Sequence, residues 1–217
     1  MDSPAPARRS FLRGGLMLAT TAAVTAAALQ PRADADTTIR PRSRARLIAR
    51  DYPDADWQPA SPRNYTAAAR PVEYPIDFVV VHVAQETYDD TIKIFQNPGA
   101  EVSAHYLVRS EDGHVARCVR EKDVGWHAGN WDYNTRSIGI EHEGWVDKPE
   151  YFTDAMYESS ADLTAYLCAA YGIPADRDHI IGHVEVPGSD HTDPGPHWDW
   201  DRYLKLVKGH MKVVGGA

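Results

Sequence analysis

From Tyr74 onward, apolar residues recur with two different periods, and these divide the chain into strands and helices. FVVVHVA, Phe78 to Ala84, is a β-branched run of the kind that forms a buried strand, and DDTIKIFQN after it has the spacing of a short helix. SAHYLVRSEDGHVARCVRE carries two apolar runs around Glu111-Asp112-Gly113, which predicts a hairpin with a glycine turn. RSIGIEHEGWV alternates isoleucine with polar residues around Ile138 to Gly144 and predicts a further strand. In TDAMYESSADLTAYLCAAYG, Met156, Leu163, Tyr166, Leu167 and Ala170 fall at helical spacing. Thr153 is placed to cap that helix, and Gly172 closes it ahead of Pro174. HWDWDRYLKLVKGHM predicts a C-terminal helix. Strands interleaved with helices in this order indicate one mixed α/β domain, from about residue 72 to 211, followed by a flexible tail over 212–217.

The preceding residues lack this texture. MDSPAPARRSFLRGG pairs Arg8 with Arg9, and LMLATTAAVTAAAL after it is uncharged and Ala-rich. That run falls short of the roughly 20 apolar residues that span a bilayer, and Ala33-Asp34-Ala35 offers a small-residue cleavage site. Residues 1–35 therefore read as a twin-arginine export signal, with a short N-terminal anchor as the alternative. Residues 36–71 are rich in Arg, Pro, Ser, Asp and Ala without a period and read as a linker or extended arm. Its basic RPRSRARLIAR stretch is either a solvated tail or a tether to an anionic wall polymer.

The formal charge is -8, and residues 1–35 hold four arginines and two aspartates, so the exported part is more acidic still. That balance argues against nucleic acid as a partner. The two cysteines, Cys118 and Cys168, are compatible with one disulfide in an oxidising compartment or with two separate buried thiols. Neither has a second Cys or His at zinc-ligand spacing.

Ionisable chemistry concentrates in GHVEVPGSDHTDPGP, Gly182 to Pro196, a stretch stiffened by Pro and Gly. Within VVVHVA, a buried His82 requires either a hydrogen-bond partner or a metal. If the loop folds back over the end of the His82 strand, His183 and Asp193, with His191 nearby, complete a set of ligands. Two imidazoles and one carboxylate leave one position free on a tetrahedral zinc, the catalytic pattern. No compact motif such as HExxH accompanies them.

Five motifs in order, FVVVHVA, VSAHYLVRSEDG, GWHAGNW, SIGIEHEG and IIGHVEVPGSDHTDPGPHWDW, resemble the type-2 N-acetylmuramoyl-L-alanine amidase family. That family also includes phage lysozyme-type amidases and peptidoglycan recognition proteins, and the resemblance runs from about Phe78 to Trp200. It implies a central mixed β-sheet flanked by helices, with zinc (Zn2+) in a surface groove held by His82, His183 and Asp193. Where some members place a Tyr, this chain has Ala104, so the general base or water-orienting group is expected to be Glu141, against a solvated strand-end carboxylate. His191 stands where the family commonly has Lys. A protonated imidazole there would steady an oxyanion but titrates near pH 6.5 when unperturbed, so activity is expected to fall as it loses its proton. A third imidazole competing for zinc is the alternative for His191.

Trp126, Trp131, His127 and Asn130 of GWHAGNW, together with His105, are expected to wall the substrate groove, with core packing the competitor for the tryptophans. His114, His179, His197 and His210 are expected to be surface or structural. The implied protein is a secreted or wall-associated monomer with no stable membrane span after signal cleavage. It would hydrolyse the lactyl-L-alanine amide of peptidoglycan or muropeptides. The alternatives are a non-catalytic peptidoglycan-recognition module and a zinc hydrolase of another amide.

Overall fold

The computed structural model describes residues 51–215. The expected export signal, the arm as far as residue 50 and the last two residues of the tail lie outside the described residues.

The expected strands and helices form. They are β3 (Phe78–Val81), α1 (Tyr88–Gln96), β4 (Tyr106–Val108), β5 (Val115–Arg117), β7 (Ser137–His142), α3 (Asp154–Tyr171) and α4 (Trp200–Gly215). Elements with too few residues to show a period are added: β1 (Asp56–Trp57), β2 (Tyr65–Thr66), β6 (Val124–Gly125), α2 (Trp131–Arg136) and β8 (Ile180–Gly182). Thr153 caps α3, its hydroxyl accepting from the Met156 N–H at 3.2 Å, and Gly172 ends the helix at φ 73°. The Glu111-Asp112-Gly113 turn joins β4 to β5 as an antiparallel pair, with Gly113 at φ 73°.

One six-stranded sheet runs β1-β5-β4-β7-β3-β8, with β2 and β6 forming a separate antiparallel pair. The pairs β4·β7, β7·β3 and β3·β8 are parallel and β4·β5 is antiparallel, so the sheet is mixed and flanked by helices, as expected. A near-continuous Val run suits β3 because a central parallel strand is covered on both faces.

Side chains alternate across a strand, and that alternation separates core from site. Val79 and Val81, Ile138 and Ile140, Tyr106 and Val108, and Ile180 join one core cluster with Met156, Leu163 and Leu167 of α3 and Tyr203 and Val207 of α4. The intervening positions, Val80 and His82, Gly139 and Glu141, His105 and Leu107, and Ile181, therefore face the other side. There Val80 and Ile181 pack with Ala128 and Val186, and Leu107 packs with Phe95 of α1. Register aligns Val81 with both Ile140 and Gly182, which brings the next residues, His82, Glu141 and His183, side by side at the carboxyl ends of three parallel strands. Open α/β sheets bind ligands at such an edge.

The expected arm is corrected over residues 51–71, which pack into the domain. Tyr52 and Ala60 are buried, β1 pairs with β5, and Arg70 is 4% exposed. The Arg70 guanidinium donates to the carbonyls of Glu121, Thr135 and Ser137 and lies against His105. Polar composition concealed this packing, because the arm is anchored by hydrogen bonds more than by apolar burial. The tail is also corrected, since α4 continues to Gly215. Cys118 and Cys168 are free buried thiols in different core clusters, and burial pushes both up to about 12.

Candidate metal centre and groove

His82 and His183 converge on Asp193. His82 Nδ1 lies 3.3 Å from Asp193 Oδ2, and His183 Nδ1 lies 3.2 Å from Asp193 Oδ1. All three residues are buried, and among the described residues they are the group whose ligand atoms lie within 4.8 Å of one another. Tetrahedral zinc with bonds of about 2.0–2.1 Å requires ligand atoms about 3.3 Å apart. The two nitrogen-to-carboxylate separations and the nitrogen and oxygen donors suit that ion, with the three ligand atoms within 4.8 Å of one another.

Local chemistry explains why the loop returns to the sheet. A Cβ on Gly182 would lie 2.6 Å from Pro194 Cδ, so a bare Cα there lets the loop close against the end of β8. The Val184 N–H donates to the Asp193 carbonyl at 3.0 Å, which pins the backbone, and the Val83 N–H approaches Asp193 Oδ2 at 3.4 Å. Burial raises the Asp193 pKa, but the His183 and His82 contacts outweigh it and hold the carboxyl below its usual range. Loss of hydration, opposed by Asp193, lowers the pKa of His82. A neutral imidazole is the form that ligates metal.

Glu141 enters the same groove from β7. Its Oε2 is sealed from solvent without a hydrogen-bond partner. Desolvation first, and the Asp193 charge second, push its pKa well above the usual carboxylate range. A perturbed carboxyl beside a ligand nest in a cleft is the arrangement expected of a proton-transfer group. His191 stacks over His183 with ring centroids 4.1 Å apart, and its Nδ1 is 3.6 Å from Asp193 Oδ1. Its side chain is 59% exposed, which suits a group that meets substrate more than one that holds a buried ion.

Two lobes flank the nest. One, of about 570 Å³, is lined by Gln85, Ile94, Phe95, Glu141, Asp190, His191 and Asp193 among others. The other, of about 530 Å³, is lined by Glu101, Val102, Trp126, Gly129, Trp131 and His191 among others. Trp126 and Trp131 both line this second lobe. Trp131 is 53% exposed, and the Trp126 indole N–H donates to Thr66 Oγ1 at 3.0 Å.

Two expected groove residues, His105 and Asn130, are corrected, while His127 lines the groove with its polar atoms engaged elsewhere. His105 is fully buried, with Nδ1 accepting from the Gly139 N–H at 3.0 Å, so it supports the sheet and does not line the groove. Asn130 caps α2 by accepting from the Tyr133 N–H at 3.3 Å, while its amide donates to the Pro187 carbonyl at 3.0 Å. Both ends of its amide are therefore occupied. His127 borders both lobes, but its Nδ1 is 3.0 Å from His82 Nε2 and its Nε2 is 3.3 Å from Ser137 Oγ. Its polar atoms face the metal ligand and the sheet, with none left for substrate. A motif shows that a histidine is present, but ring direction is settled by neighbours distant in sequence. The glycines were the available signal: a Cβ on Gly139 would lie 2.5 Å from His127 Cγ, and one on Gly125 would lie 3.0 Å from His105 Cε1.

The profile of a family described as N-acetylmuramoyl-L-alanine amidase matches residues 72–196. N-acetylmuramoyl-L-alanine amidase A of Achromobacter lyticus is 36% identical over 176 residues, covering 73% of this chain and 96% of that protein. The 1,6-anhydro-N-acetylmuramyl-L-alanine amidase AmpD of Haemophilus influenzae is 38% identical over 113 residues, covering 49% of this chain and 59% of that protein. Among solved structures, a selenomethionine derivative of AmpD superposes with a TM-score of 0.60 at 29% identity, over 72% of this chain and 96% of its own. The Staphylococcus aureus hydrolase AmiA, solved with its ligand, shares the fold with a TM-score of 0.62 at 20% identity, over 76% of this chain and 86% of its own. With its strand-borne His82 and Glu141 and its returning His183–Asp193 loop inside the matched span, the chain belongs to the N-acetylmuramoyl-L-alanine amidase family.

Proposed function

We propose that this protein is a secreted, zinc-dependent N-acetylmuramoyl-L-alanine amidase that cleaves the amide between the lactyl group of N-acetylmuramic acid and the L-alanine of the stem peptide. The observation that carries the reading is the buried nest of His82, His183 and Asp193 with the unpartnered Glu141 beside it in one groove. Zinc bound there supplies Lewis-acid polarisation of the scissile carbonyl and lowers the pKa of a water toward neutrality.

The chain's own residues do the rest. Glu141 takes a proton from the attacking water and delivers it to the nitrogen of L-alanine as the C–N bond breaks. His191, above His183 and open to solvent, donates a hydrogen bond to the charge developing on the carbonyl oxygen. Trp126 and Trp131 offer flat apolar walls in the second lobe for the sugar or the peptide.

The Arg8-Arg9 pair ahead of an Ala-rich run supports export through a twin-arginine-type signal, which puts the enzyme where the wall polymer is. Among the described residues no helix is long and apolar enough to cross a membrane.

The test is digestion of purified peptidoglycan by the protein, with released termini identified by mass spectrometry. New free L-alanine amino termini that disappear with a chelator and return with zinc are expected. Wall binding with no bond cut, at pH values on either side of 6.5, would instead make this a recognition module.

A further inference from the structure

We propose that His127 is a positioning residue for the metal ligand His82, fixing its tautomer and ring direction through a one-way hydrogen-bond chain that ends on the Tyr133 carbonyl. The inference rests on the metal reading of the nest and adds to it what aims one of its ligands.

His82 turns Nδ1 toward Asp193, so Nδ1 must offer its lone pair to the ion and the ring proton must sit on Nε2. That Nε2 is 3.0 Å from His127 Nδ1, which therefore accepts. His127 then carries its own proton on Nε2, which faces Ser137 Oγ at 3.3 Å. The Ser137 hydroxyl donates to the Tyr133 carbonyl at 2.5 Å.

A carbonyl can only accept, so the far end fixes the same direction that the metal end requires. The two ends are independent, and they agree.

The packing holds this chain in place. His127 is 6% exposed, and its backbone is gripped by Asn134 Oδ1, which accepts from the N–H groups of His127 at 3.1 Å and Ala128 at 2.8 Å. The ring lies against the bare Cα of Gly139, and His105 packs edge-on to it with centroids 5.6 Å apart. Metal-bound histidines usually donate to a carboxylate, a carbonyl or water. A neutral imidazole in that place orients His82 without adding a second negative charge to a nest that already holds Asp193. His183 has no counterpart, since its Nε2 is buried without a partner.

The experiment measures zinc affinity of the full chain by competition with a chromophoric chelator, alongside the absorption spectrum of the cobalt-substituted protein. The proteins are wild type, His127→Leu, His127→Asn and Ser137→Ala. Loss of the acceptor in His127→Leu is expected to weaken zinc binding by about 10- to 100-fold and to shift the cobalt bands. Asn places an amide oxygen near the position of Nδ1 and is expected to recover most of the affinity. Ser137→Ala, which leaves the histidine in place, is expected to weaken binding by about tenfold or less.

A purely structural role for His127 would lower the melting temperature of the metal-free protein without this ordering of affinities. Zinc affinity within about twofold of wild type in a folded His127→Leu protein, with unchanged cobalt bands, overturns the inference. If that variant does not fold, wild-type affinity in Ser137→Ala together with a full loss in His127→Asn overturns it. A wild-type chain that takes up no zinc overturns the metal reading as well, and is told apart because the variants then have no affinity to lose.

Discussion

His82 and Glu141 reach the groove from the ends of β3 and β7, whereas His191 and Asp193 arrive on the loop between β8 and α4. The strand-borne pair is fixed by register with its neighbours, and nothing but the breaking of parallel pairing could move it far. The loop is split within itself. Asp193 is buried and gripped by His82, His183 and the Val83 N–H, while Asp190 and His191, three and two residues before it, stand in solvent. A rigid sheet places the groups whose distances must hold to tenths of an ångström, and a tethered loop adds one locked ligand and one exposed, exchangeable donor.

The largest expected effect comes from breaking the point where both halves meet. Asp193→Ala removes the carboxylate on which both imidazoles converge, and the protein should lose both stoichiometric zinc and peptidoglycan cleavage. Metal content and released muropeptides measure this, and full retention of zinc would show that His82 and His183 hold the ion without the carboxylate.

Glu141→Gln keeps shape and removes the proton acceptor. It should lower kcat by roughly 10²- to 10⁴-fold while zinc stays bound. Equal loss of metal and rate would instead make Glu141 a part of the nest.

His191 tests the loop half alone. His191→Ala should cost roughly 10²- to 10³-fold in kcat with zinc affinity near wild type, the scale seen for a lost oxyanion donor. His191→Lys should restore activity and carry it to higher pH, because an ammonium stays charged to about pH 10. A pH–rate profile for the lysine variant that matches wild type would remove His191 from the chemistry.

The smallest effect concerns stability. Desolvation lowers the pKa of His82, His105 and His127, and takes His142 to about 3. The unfolded chain therefore binds more protons than the folded one below about pH 6.5, the ordinary histidine value. This contribution is complete above that value and is lost as pH falls toward the folded-state values, by up to about 1.4 kcal/mol per pH unit for each histidine. The melting temperature of the metal-free protein should fall clearly between pH 7.5 and 5.5. A flat profile would mean that these rings take up protons without unfolding.

Legibility in the sequence followed the number of residues over which a pattern could repeat. α3 could be read to its caps because eighteen residues, Thr153 and Gly172 all pointed to the same answer. The β4–β5 hairpin was legible through Gly113. The strand β8 has three residues, and β1, β2 and β6 have two each, too few to display alternation. Segment 51–71 looked like a linker because Arg70 buries itself by donating to carbonyls, a contact that composition does not reveal. The expected ligands His82, His183 and Asp193 do meet in space, with Glu141 and His191 at the same groove. His105, His127 and Asn130 belonged to the right motifs, but their polar atoms turn to the scaffold.

The sequence by itself determined which residue types are available and where: a histidine in a valine strand, a Glu in an alternating strand, a Gly-Pro-stiffened loop with His and Asp. Period-two alternation assigned each strand residue to one of two faces, because successive Cβ atoms point to opposite sides. The tertiary structure decided which face became the site. α3 and α4 cover one side of the sheet, and the loop closes over the other because Gly182 leaves room for Pro194. It also decided where each imidazole points, because ring orientation is set by hydrogen-bond partners from other elements: Ser137 for His127, Gly139 for His105 and His127 for His82.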